Sequence, residues 1–358
     1  MNLLLIGPLP NPITGVSLAN QIVLNFLPKY TENKVDFINT NYSVLKEDIG
    51  KFNFKKVLHY VKQYKELYKI KKSDKVYMTP GQTFFGVLKY YPYFLTATLF
   101  KKEIIVHIHG NHLWKEYKNL SGLKKKLFHK TLAMSDKGIV LSESLKKNLV
   151  PFLPDNKIFI LKNFVEDFLF ESKSKKNFNK LRIIYLSNLM QEKGILDLLE
   201  ALVILKQNNV DFEAQIAGGM DDSMKEKIGS YLDKLDDHVK YLGLTYGHDK
   251  KTLLEWGNVF VFPTYYAMEG QPISIFEAMA TGNIILTTNH AGIPDVFKEG
   301  INGFYIEKKS PDSIASKLIE MNQNLGNYKK ISERNIQEAK EKYRVKNFIE
   351  KLDKILES

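Results

Sequence analysis

Short apolar or β-branched runs alternate with longer stretches of helical periodicity along the chain. Most of these runs are continuously apolar, as expected for strands that are buried on both faces of a parallel sheet. The alternation of strands and helices predicts an α/β protein with doubly wound sheets. The predicted strands are Leu3–Ile6, Val35–Ile38, Lys75–Met78, Ile104–Ile108, Gly138–Leu141, Ile158–Leu161, Leu181–Leu186, Glu213–Ala217, Val239–Leu242, Val259–Phe262, Ile284–Thr287 and Gly303–Ile306. The clearest predicted helices are Ser17–Leu27, Ile195–Gln207, Ser223–Leu235 and Ile273–Thr281.

The length of 358 residues predicts two domains rather than one. The polar and charged segment Glu171–Lys180 is the best candidate for a linker between them. We therefore expect Rossmann-like domains over residues 1–170 and 171–340, and a C-terminal helix over residues 341–358 that packs back on the first domain. Two such domains would face a central cleft, because ligands of open parallel sheets bind beyond the carboxyl ends of the strands.

Cysteine is absent from the chain, which excludes disulfides, thiol nucleophiles, zinc–thiolate centres and iron–sulfur clusters. The first residues, MNLLLIGPLP, lack a basic region, and their apolar run is too short for a signal peptide. No apolar stretch approaches the ~20 residues that span a bilayer. We expect a cytoplasmic protein, and a peripheral position on the inner face of the cell membrane stays open.

The net charge of +12 is unevenly distributed along the chain. Residues 1–168 contain 26 Lys, no Arg and 13 acidic residues, whereas residues 169–358 contain 26 basic and 27 acidic residues. Lysines are interleaved with aromatic residues in Lys51–Lys75 and stand beside them in Lys115–Lys130, and Phe84–Phe100 is rich in aromatic residues. Basic residues beside aromatic ones are typical of surfaces for anionic lipid or nucleic acid. The absence of Arg argues against nucleic-acid recognition, which leaves an anionic membrane surface and an ordinary solvated face as alternatives.

The segment Pro263–Gly282 carries the most specific chemical signal. It follows an apolar run and leads into a predicted helix, with Pro272 at the first helical position, where its missing N–H costs nothing. Free backbone N–H groups at the start of such a helix can bind an anion such as a diphosphate. Glu269 and Glu277 flank this site and can accept hydrogen bonds from hydroxyl groups. The alternative is an ordinary capped helix with two solvated glutamates.

His107, His109 and His112 are spaced closely enough to suggest a metal site. No carboxylate stands next to them, and on a strand only His107 and His109 would share a face. We therefore expect no metal site here, and we expect His107 to pack within the sheet. The acidic pairs Asp221-Asp222 and Asp236-Asp237 are interpreted as solvated helix ends rather than metal ligands.

The loop Gly7–Ser17 lies between the first predicted strand and the first predicted helix. Gly15 would allow a ligand to approach the backbone closely at the start of this helix. The signal is weak by itself, because every Rossmann-like unit needs such a turn.

The segment Glu269–Glu277 resembles the Glu-x7-Glu motif of the family 4 retaining glycosyltransferases, which have the GT-B fold. The similarity continues through Glu277-Ala278-Met279-Ala280 and Gly282 to Gly292-Ile293-Pro294-Asp295. The segment Leu186–Gly194 is similar to the Gly-Arg-Leu-x3-Lys-Gly stretch of the family, and His109-Gly110 is similar to its His-Gly. Asn188 stands where the family commonly has Arg, which removes one fixed cation from the phosphate site.

The resemblance implies a role for each matched residue. Glu269 and His109 would contact the donor sugar, and Glu277 would contact the nucleotide ribose. Lys193 would neutralise the donor diphosphate in the role that a divalent ion plays elsewhere. The implied catalytic residues are His109, Lys193 and Glu269. The implied donor-binding residues are Gly15, Asn188, Lys193, Gly270, Gln271, Pro272, Ile273, Ser274 and Glu277.

The resemblance also implies a retaining, metal-independent, hexosyltransferase-type glycosyltransferase of the GT-B fold. It would move a sugar from a nucleotide-diphosphate sugar, with uridine as the commonest base, to a glycan or polyprenyl-diphosphate-linked acceptor in cell-surface polysaccharide synthesis. Residues 1–170 would bind the acceptor and residues 171–340 the donor. No cofactor beyond the donor, no metal and no nucleic-acid partner is expected.

Two other functions stay open at this point. One is a sugar-nucleotide epimerase of the GT-B fold, which needs no acceptor surface. The other is a non-catalytic binder of membranes or nucleic acid on the same scaffold. A nicotinamide oxidoreductase is disfavoured, because Gly218-Gly219 does not supply the glycine-rich fingerprint of such enzymes.

Overall fold

The computed structural model describes residues 1–41, 63–171 and 176–358. Residues 172–175 of the predicted linker lie outside this part of the chain. So do residues 51–62 of the basic segment Lys51–Lys75.

The described chain divides into two compact units. Unit 1 consists of Met1–Asn163, Met268–Gln271 and Val345–Ser358. Unit 2 consists of Phe164–Ala267 and Pro272–Arg344. The unit boundaries therefore fall at 163/164 and 344/345, compared with the predicted 170 and 340.

Unit 1 is built on six parallel strands. They are β1 (Asn2–Gly7), β2 (Lys34–Asn39), β3 (Lys75–Met78), β4 (Glu103–Ile108), β5 (Lys137–Val140) and β6 (Ile158–Ile160). Their order in the sheet is β2-β1-β3-β4-β5-β6. Each coincides with a predicted strand to within one residue at either end. The apolar side chains of β1, β3 and β4 are buried on both faces of the sheet, which explains their continuous apolar sequences.

Helices cover the faces of this sheet. They are α1 (Gly15–Tyr30), α2 (Tyr68–Lys72), α3 (Phe84–Leu88), α4 (Tyr91–Leu99), α5 (Leu113–Asn119) and α6 (Gly122–Leu132). Helix α1 begins at Gly15 because Thr14 and Ser17 cap it reciprocally: the Ser17 N–H donates to Thr14 Oγ1, and the Thr14 N–H donates to Ser17 Oγ.

Unit 2 contains a second parallel sheet. Its strands are β7 (Leu181–Leu186), β8 (Phe212–Ala217), β9 (Val239–Tyr241), β10 (Val259–Phe262), β11 (Ile284–Thr287) and β12 (Gly303–Tyr305). Their order is β12-β11-β10-β7-β8-β9. Its helices are α7 (Ile195–Gln207), α8 (Asp222–Leu235), α9 (Gly247–Trp256), α10 (Ile273–Ala280), α11 (Pro311–Gln323) and α12 (Lys329–Lys342). The predicted α/β class with two doubly wound sheets is confirmed.

The last helix, α13 (Val345–Glu357), belongs to unit 1 and packs against α1. Its apolar face is buried, and its polar edge is tied to unit 1 by a 2.5 Å hydrogen bond from Asn33 Nδ2 to Asp353 Oδ1. Lys137 donates to the carbonyl oxygen of Ile355 at 3.1 Å. A cation is favourable at this position, because unpaired carbonyl groups collect at the C-terminal end of a helix.

The point at which the strand order reverses determines where a sheet can open a crevice for a ligand. In unit 2 this point lies between β7 and β10, because the connections from these strands leave in opposite directions. In unit 1 it lies between β1 and β3. The loops at the carboxyl ends of these strands are therefore the first places to examine for a site.

No helix in the described part of the chain combines the length and the apolar character needed to cross a membrane.

Candidate active site

In unit 2 the loops that follow β7 and β10 meet at the reversal point. The backbone N–H of Tyr265 donates to the carbonyl oxygen of Glu192 at 2.8 Å, which joins the two loops. The Lys193 ammonium lies 5.5 Å from the ring centre of Phe262 and 5.0 Å from that of Tyr266. These aromatic faces hold the half-buried cation at the carboxyl edge of the sheet.

The backbone around Lys193 requires a glycine at the next position. Gly194 has φ +79°, and a Cβ there would lie 2.4 Å from the carbonyl oxygen of Pro263. A side chain at 194 would therefore be strained and would separate the two loops. The hydroxyl of Tyr185 braces the same loop by donating to the carbonyl oxygens of Asn188 at 3.2 Å and Lys193 at 3.4 Å.

Asn188 lies in the loop after β7 and is exposed. A Cβ built on Gly219, in the loop after β8, would come 3.4 Å from Asn188 Oδ1. Asn188 is therefore at the carboxyl edge, where the sequence resemblance places it, and it brings an amide rather than a charge.

The helix α10 begins at Ile273, as the predicted range Ile273–Thr281 has it, so Pro272 does not occupy the first helical position. Pro272 is the residue before the helix, with φ −64° and ψ 122°, and Ile273 is the first helical residue. No side chain caps this end. The Ile275 N–H donates to the carbonyl oxygen of Pro272 at 3.2 Å, and the N–H groups of Ile273 and Ser274 have no acceptor within the helix. Ile273 and Ser274 are half-buried. The N-terminal end of α10 can therefore bind an anion through its backbone, as predicted for a diphosphate.

Glu277 has a partner that sequence reasoning missed. Its Oε1 lies 2.6 Å from Nζ of Lys250 on α9, and Glu166 Oε2 lies 2.8 Å from the same nitrogen. The Glu277 side chain is only 5% exposed, so the interpretation of a solvated glutamate does not fit. Nothing in the spacing of the sequence indicates this contact, because Lys250 is 27 positions from Glu277.

In unit 1 the histidines lie at the carboxyl end of β4. The rings of His107 and His109 are 3.9 Å apart between centres, and His107 Nδ1 lies 2.5 Å from the hydroxyl oxygen of Tyr77. His107 is fully buried within the sheet, in agreement with its predicted structural role. Burial lowers the pKa of His109 to about 3, so its imidazole is neutral near pH 7. Its buried Nε2 has no hydrogen-bond partner among the described residues.

The segment Met268–Gln271 follows β10 in the chain, yet it belongs to unit 1. A Cβ on Gly270 would lie 2.2 Å from the carbonyl oxygen of His109, and a Cβ on Gly110 would lie 2.5 Å from that of Met268. Both glycines are therefore needed for the two backbones to touch. This contact brings the buried Glu269 into the same neighbourhood as His109.

Gln271 fixes this segment in unit 1. Its Oε1 accepts the N–H of Asn163 at 2.8 Å, its carbonyl oxygen accepts Asn163 Nδ2 at 2.7 Å, and its Nε2 donates to Leu141 at 3.2 Å. The side chain and the carbonyl oxygen of Gln271 therefore form an internal anchor, and only its backbone N–H is left for a ligand. The sequence suggested the backbone role but not the anchor.

The remaining predicted positions are Gly15 and the histidine cluster. Gly15 is the exposed first residue of α1 and follows the loop after β1. His112 Nε2 lies 3.6 Å from Glu116 Oε2, whereas the tilted rings of His107 and His109 contact each other. Within the described ranges, no three His, Cys, Asp or Glu side chains form a group that could hold a metal.

Comparison with known proteins shows which families and folds this chain is similar to. Residues 166–342 match the family model of the group 1 glycosyl transferases. The amylovoran biosynthesis glycosyltransferase AmsK of Erwinia amylovora is 27% identical over 205 residues, which are 56% of this chain and 50% of AmsK. The uncharacterized glycosyltransferase MJ1069 of Methanocaldococcus jannaschii is 26% identical over 282 residues, covering 74% of this chain and 71% of that protein. The chain thus spans only half the length of AmsK.

The fold has a solved counterpart in the crystal structure of Anabaena Alr3699/HepE in complex with UDP. That structure aligns with a TM-score of 0.76 at 14% identity and covers all of both chains. At this identity the likeness concerns the fold, and it agrees with the predicted GT-B architecture. The match to the group 1 glycosyl transferase model thus covers just under half of the chain, residues 166–342, and the likeness of the whole chain to HepE concerns the fold.

Proposed function

We propose that the chain is a retaining, metal-independent glycosyltransferase of the family 4 type. It would transfer a hexosyl group from a UDP-sugar to a glycan or polyprenyl-diphosphate-linked acceptor in cell-surface polysaccharide synthesis. The observation that carries this proposal is the reversal point of unit 2, where Lys193 is held beside the loop that leads to the uncapped start of α10. The names of two similar proteins agree with it: AmsK acts in amylovoran biosynthesis, and HepE has been crystallised with UDP.

The donor diphosphate would bind at the start of α10, where first-turn N–H groups donate to its oxygens. Lys193 would balance the negative charge that grows as the diphosphate departs, in the manner of fixed electrostatic stabilisation. Asn188 would add a neutral hydrogen bond, and Gly15 and Gly270 would allow close backbone approach. The carboxylate of Glu277 would accept hydrogen bonds from the ribose hydroxyls.

The sugar would be held by Glu269 and His109, which the Gly110–Gly270 contact brings together within unit 1. A neutral imidazole can accept one hydrogen bond and donate another, so His109 would orient hydroxyl groups rather than act as a cation. In a front-face displacement, the acceptor oxygen forms the new bond to the anomeric carbon as its bond to the diphosphate breaks. The acceptor proton passes to the departing diphosphate oxygen, so no enzymic nucleophile is required.

A peripheral position on the membrane would give the enzyme access to a lipid-linked acceptor. Leu123 on α6 is 85% exposed and Phe85 on α3 is 41% exposed, and these two helices pack together. Lys124–Lys126 continue α6, with Lys124 5.7 Å from the ring centre of Phe84. Exposed apolar side chains beside lysines are favourable at an anionic lipid surface. We call Phe85, Leu123 and Lys124–Lys126 the basic patch, and we propose that it rests on the inner face of the cell membrane.

The decisive test is product analysis with a panel of nucleotide sugars and lipid-linked acceptors. We expect transfer from a UDP-sugar without added metal. NMR of the product should show that the transferred sugar has the same anomeric configuration as in the donor. Inversion would contradict the retaining mechanism, and loss of transfer on chelation would contradict metal independence. An epimer formed from the donor alone would favour the epimerase. A non-catalytic binder would keep its binding activity in a Glu269→Ala variant, so loss of sugar transfer in that variant would exclude it.

A further inference from the structure

Lys250 is a buried cation that the proposed mechanism does not yet use. It lies on α9, its side chain is 10% exposed, and its ammonium contacts Glu277 and Glu166 at 2.6 and 2.8 Å. Although burial opposes the charge, the two carboxylates hold the pKa of Lys250 above its ordinary value. The group is therefore a cation at neutral pH, flanked by two anions.

The three charges leave an excess of one negative charge. The Glu166 side chain is 26% exposed, so water can donate hydrogen bonds to its carboxylate. The Glu277 side chain is only 5% exposed and has little access to water. A carboxylate can accept about four hydrogen bonds, and Lys250 supplies one of them to Glu277. A buried anion with remaining acceptor capacity is complementary to a pair of hydroxyl donors.

The position of Glu277 places its remaining hydrogen-bond acceptors next to the proposed diphosphate site. Glu277 is the fifth residue of α10, and the first turn of that helix is the proposed diphosphate site. Lys250 holds Oε1 from the neighbouring helix, so the rotation of the carboxylate is fixed before a ligand arrives. Fixing an acceptor in advance lowers the entropic cost of binding a ligand to it.

We propose that Lys250 is a positioning residue that holds the Glu277 carboxylate in the orientation in which it accepts the ribose hydroxyls of a nucleoside diphosphate. This inference rests on the proposed function, because it requires a nucleotide at the start of α10. It assigns to Lys250 a role that acts through Glu277 rather than by contact with the reacting atoms.

The test is isothermal titration calorimetry with UDP and with 2′,3′-dideoxy-UDP, which lacks both hydroxyls. We compare the wild-type protein, Lys250→Met and the neighbouring control Lys251→Met. The wild-type protein should bind UDP roughly 10-fold or more tightly than the dideoxy compound, because hydrogen bonds to a charged group are strong. In K250M this ratio should fall below about 3-fold, mainly through weaker UDP binding, and K251M should keep the wild-type ratio.

The ratio separates positioning from a merely structural role, because general loosening of the fold weakens both ligands alike. A thermal melt shows whether K250M is folded; if it is not, Lys250→Gln takes its place with the same expected fall in the ratio. A folded variant that keeps the wild-type ratio overturns the role of Lys250 and leaves the proposed function standing. A wild-type protein that binds neither UDP nor any other nucleoside diphosphate overturns the proposed function, and the inference falls with it.

Discussion

Units 1 and 2 share an architecture but present different chemistry at the carboxyl edges of their sheets. Unit 2 places fixed charges there, with Lys193 against two aromatic rings and Glu277 paired with Lys250. Unit 1 places a neutral, desolvated imidazole there, because burial lowers the pKa of His109 to about 3. Glu269 also belongs to unit 1 and lies near this imidazole. Under the proposed function, unit 2 would balance the charge of the diphosphate and unit 1 would orient the sugar.

Strand order explains part of this difference. In unit 2 both motif loops follow the strands that flank the reversal point, β7 and β10, where a helix N-terminus and a cation can face the same ligand. In unit 1 the reversal lies between β1 and β3, while His109 follows β4, the next strand along. The same kind of sheet thus provides two types of site, according to which loop carries the chemistry.

The largest expected effect tests the charged site of unit 2. Lys193→Ala should lower kcat by roughly 100- to 1,000-fold, because one fixed donor to the developing anion is removed. Steady-state kinetics with the UDP-sugar that supports transfer measures the loss. Lys227→Ala, on the exposed face of α8, is the matched control and should leave kcat within about twofold, since surface changes are usually neutral. A K193A enzyme as active as K227A would remove the charge from the mechanism.

The next effect concerns the basic surface of unit 1. Replacing Lys124–Lys126 by Ala should weaken binding to vesicles that contain anionic phosphatidylglycerol by roughly 100-fold, because each of the three lysines contributes about 1 kcal/mol. Vesicle co-sedimentation measures the partition, and raised salt should reduce the wild-type value. The control replaces Lys225, Lys227 and Lys234 on α8 of unit 2. Equal losses in both triple variants would mean that total charge, rather than the basic patch, governs binding.

Glycine substitutions compare the loops of the two units. Gly194→Ala and Gly270→Ala place a methyl group 2.4 and 2.2 Å from a backbone oxygen, so each should lower the free energy of unfolding by about 3 kcal/mol. The control is Gly247→Ala, where φ is +53° and no atom lies within 4 Å, and about 1 kcal/mol is expected. Urea denaturation measures all three. A loss for Gly194→Ala equal to that for Gly247→Ala would show that backbone strain, and not close packing of the loops, dominates at position 194.

The smallest effect concerns the pH dependence of the neutral site in unit 1. Because burial lowers the pKa of His109 to about 3, this group should cause no inflection in kcat/KM between pH 5 and 8. An inflection near pH 6.5 that His109→Gln abolishes, and that the exposed control His248→Gln keeps, would contradict the buried neutral state.

The lowered pKa of His109 also predicts how the stability of the fold depends on pH. The folded-state pKa lies below the unfolded value of about 6.5, so the stabilising contribution is present above that pH. It should be lost as the pH falls toward 3. Thermal melts should show a smaller acid loss for H109Q than for H248Q, and identical acid losses would count against this assignment.

The sequence predicted local features of the fold well. Each strand was located to within one residue, because continuous apolar runs bounded by polar loops are a local signal of buried parallel strands. The same logic placed Lys193 and Glu277 in loops and helices that follow strands. The largest helix error is at α1, which extends two residues before and three after the prediction of Ser17–Leu27. The reciprocal cap of Thr14 and Ser17 fixes its beginning.

Contacts between distant residues were decided by the tertiary structure alone. Lys250 contacts Glu277 because α9 and α10 belong to the same unit. No spacing in the sequence predicts a contact between two separate helices. Gln271 carries Glu269 into unit 1 because Asn163 and Leu141, over 100 positions earlier, supply its hydrogen-bond partners. The sequence therefore determined which segments become strands and which chemical groups follow them. Packing decided which of those groups are buried, paired and held in place, since burial and pairing depend on neighbours that only the folded chain brings together.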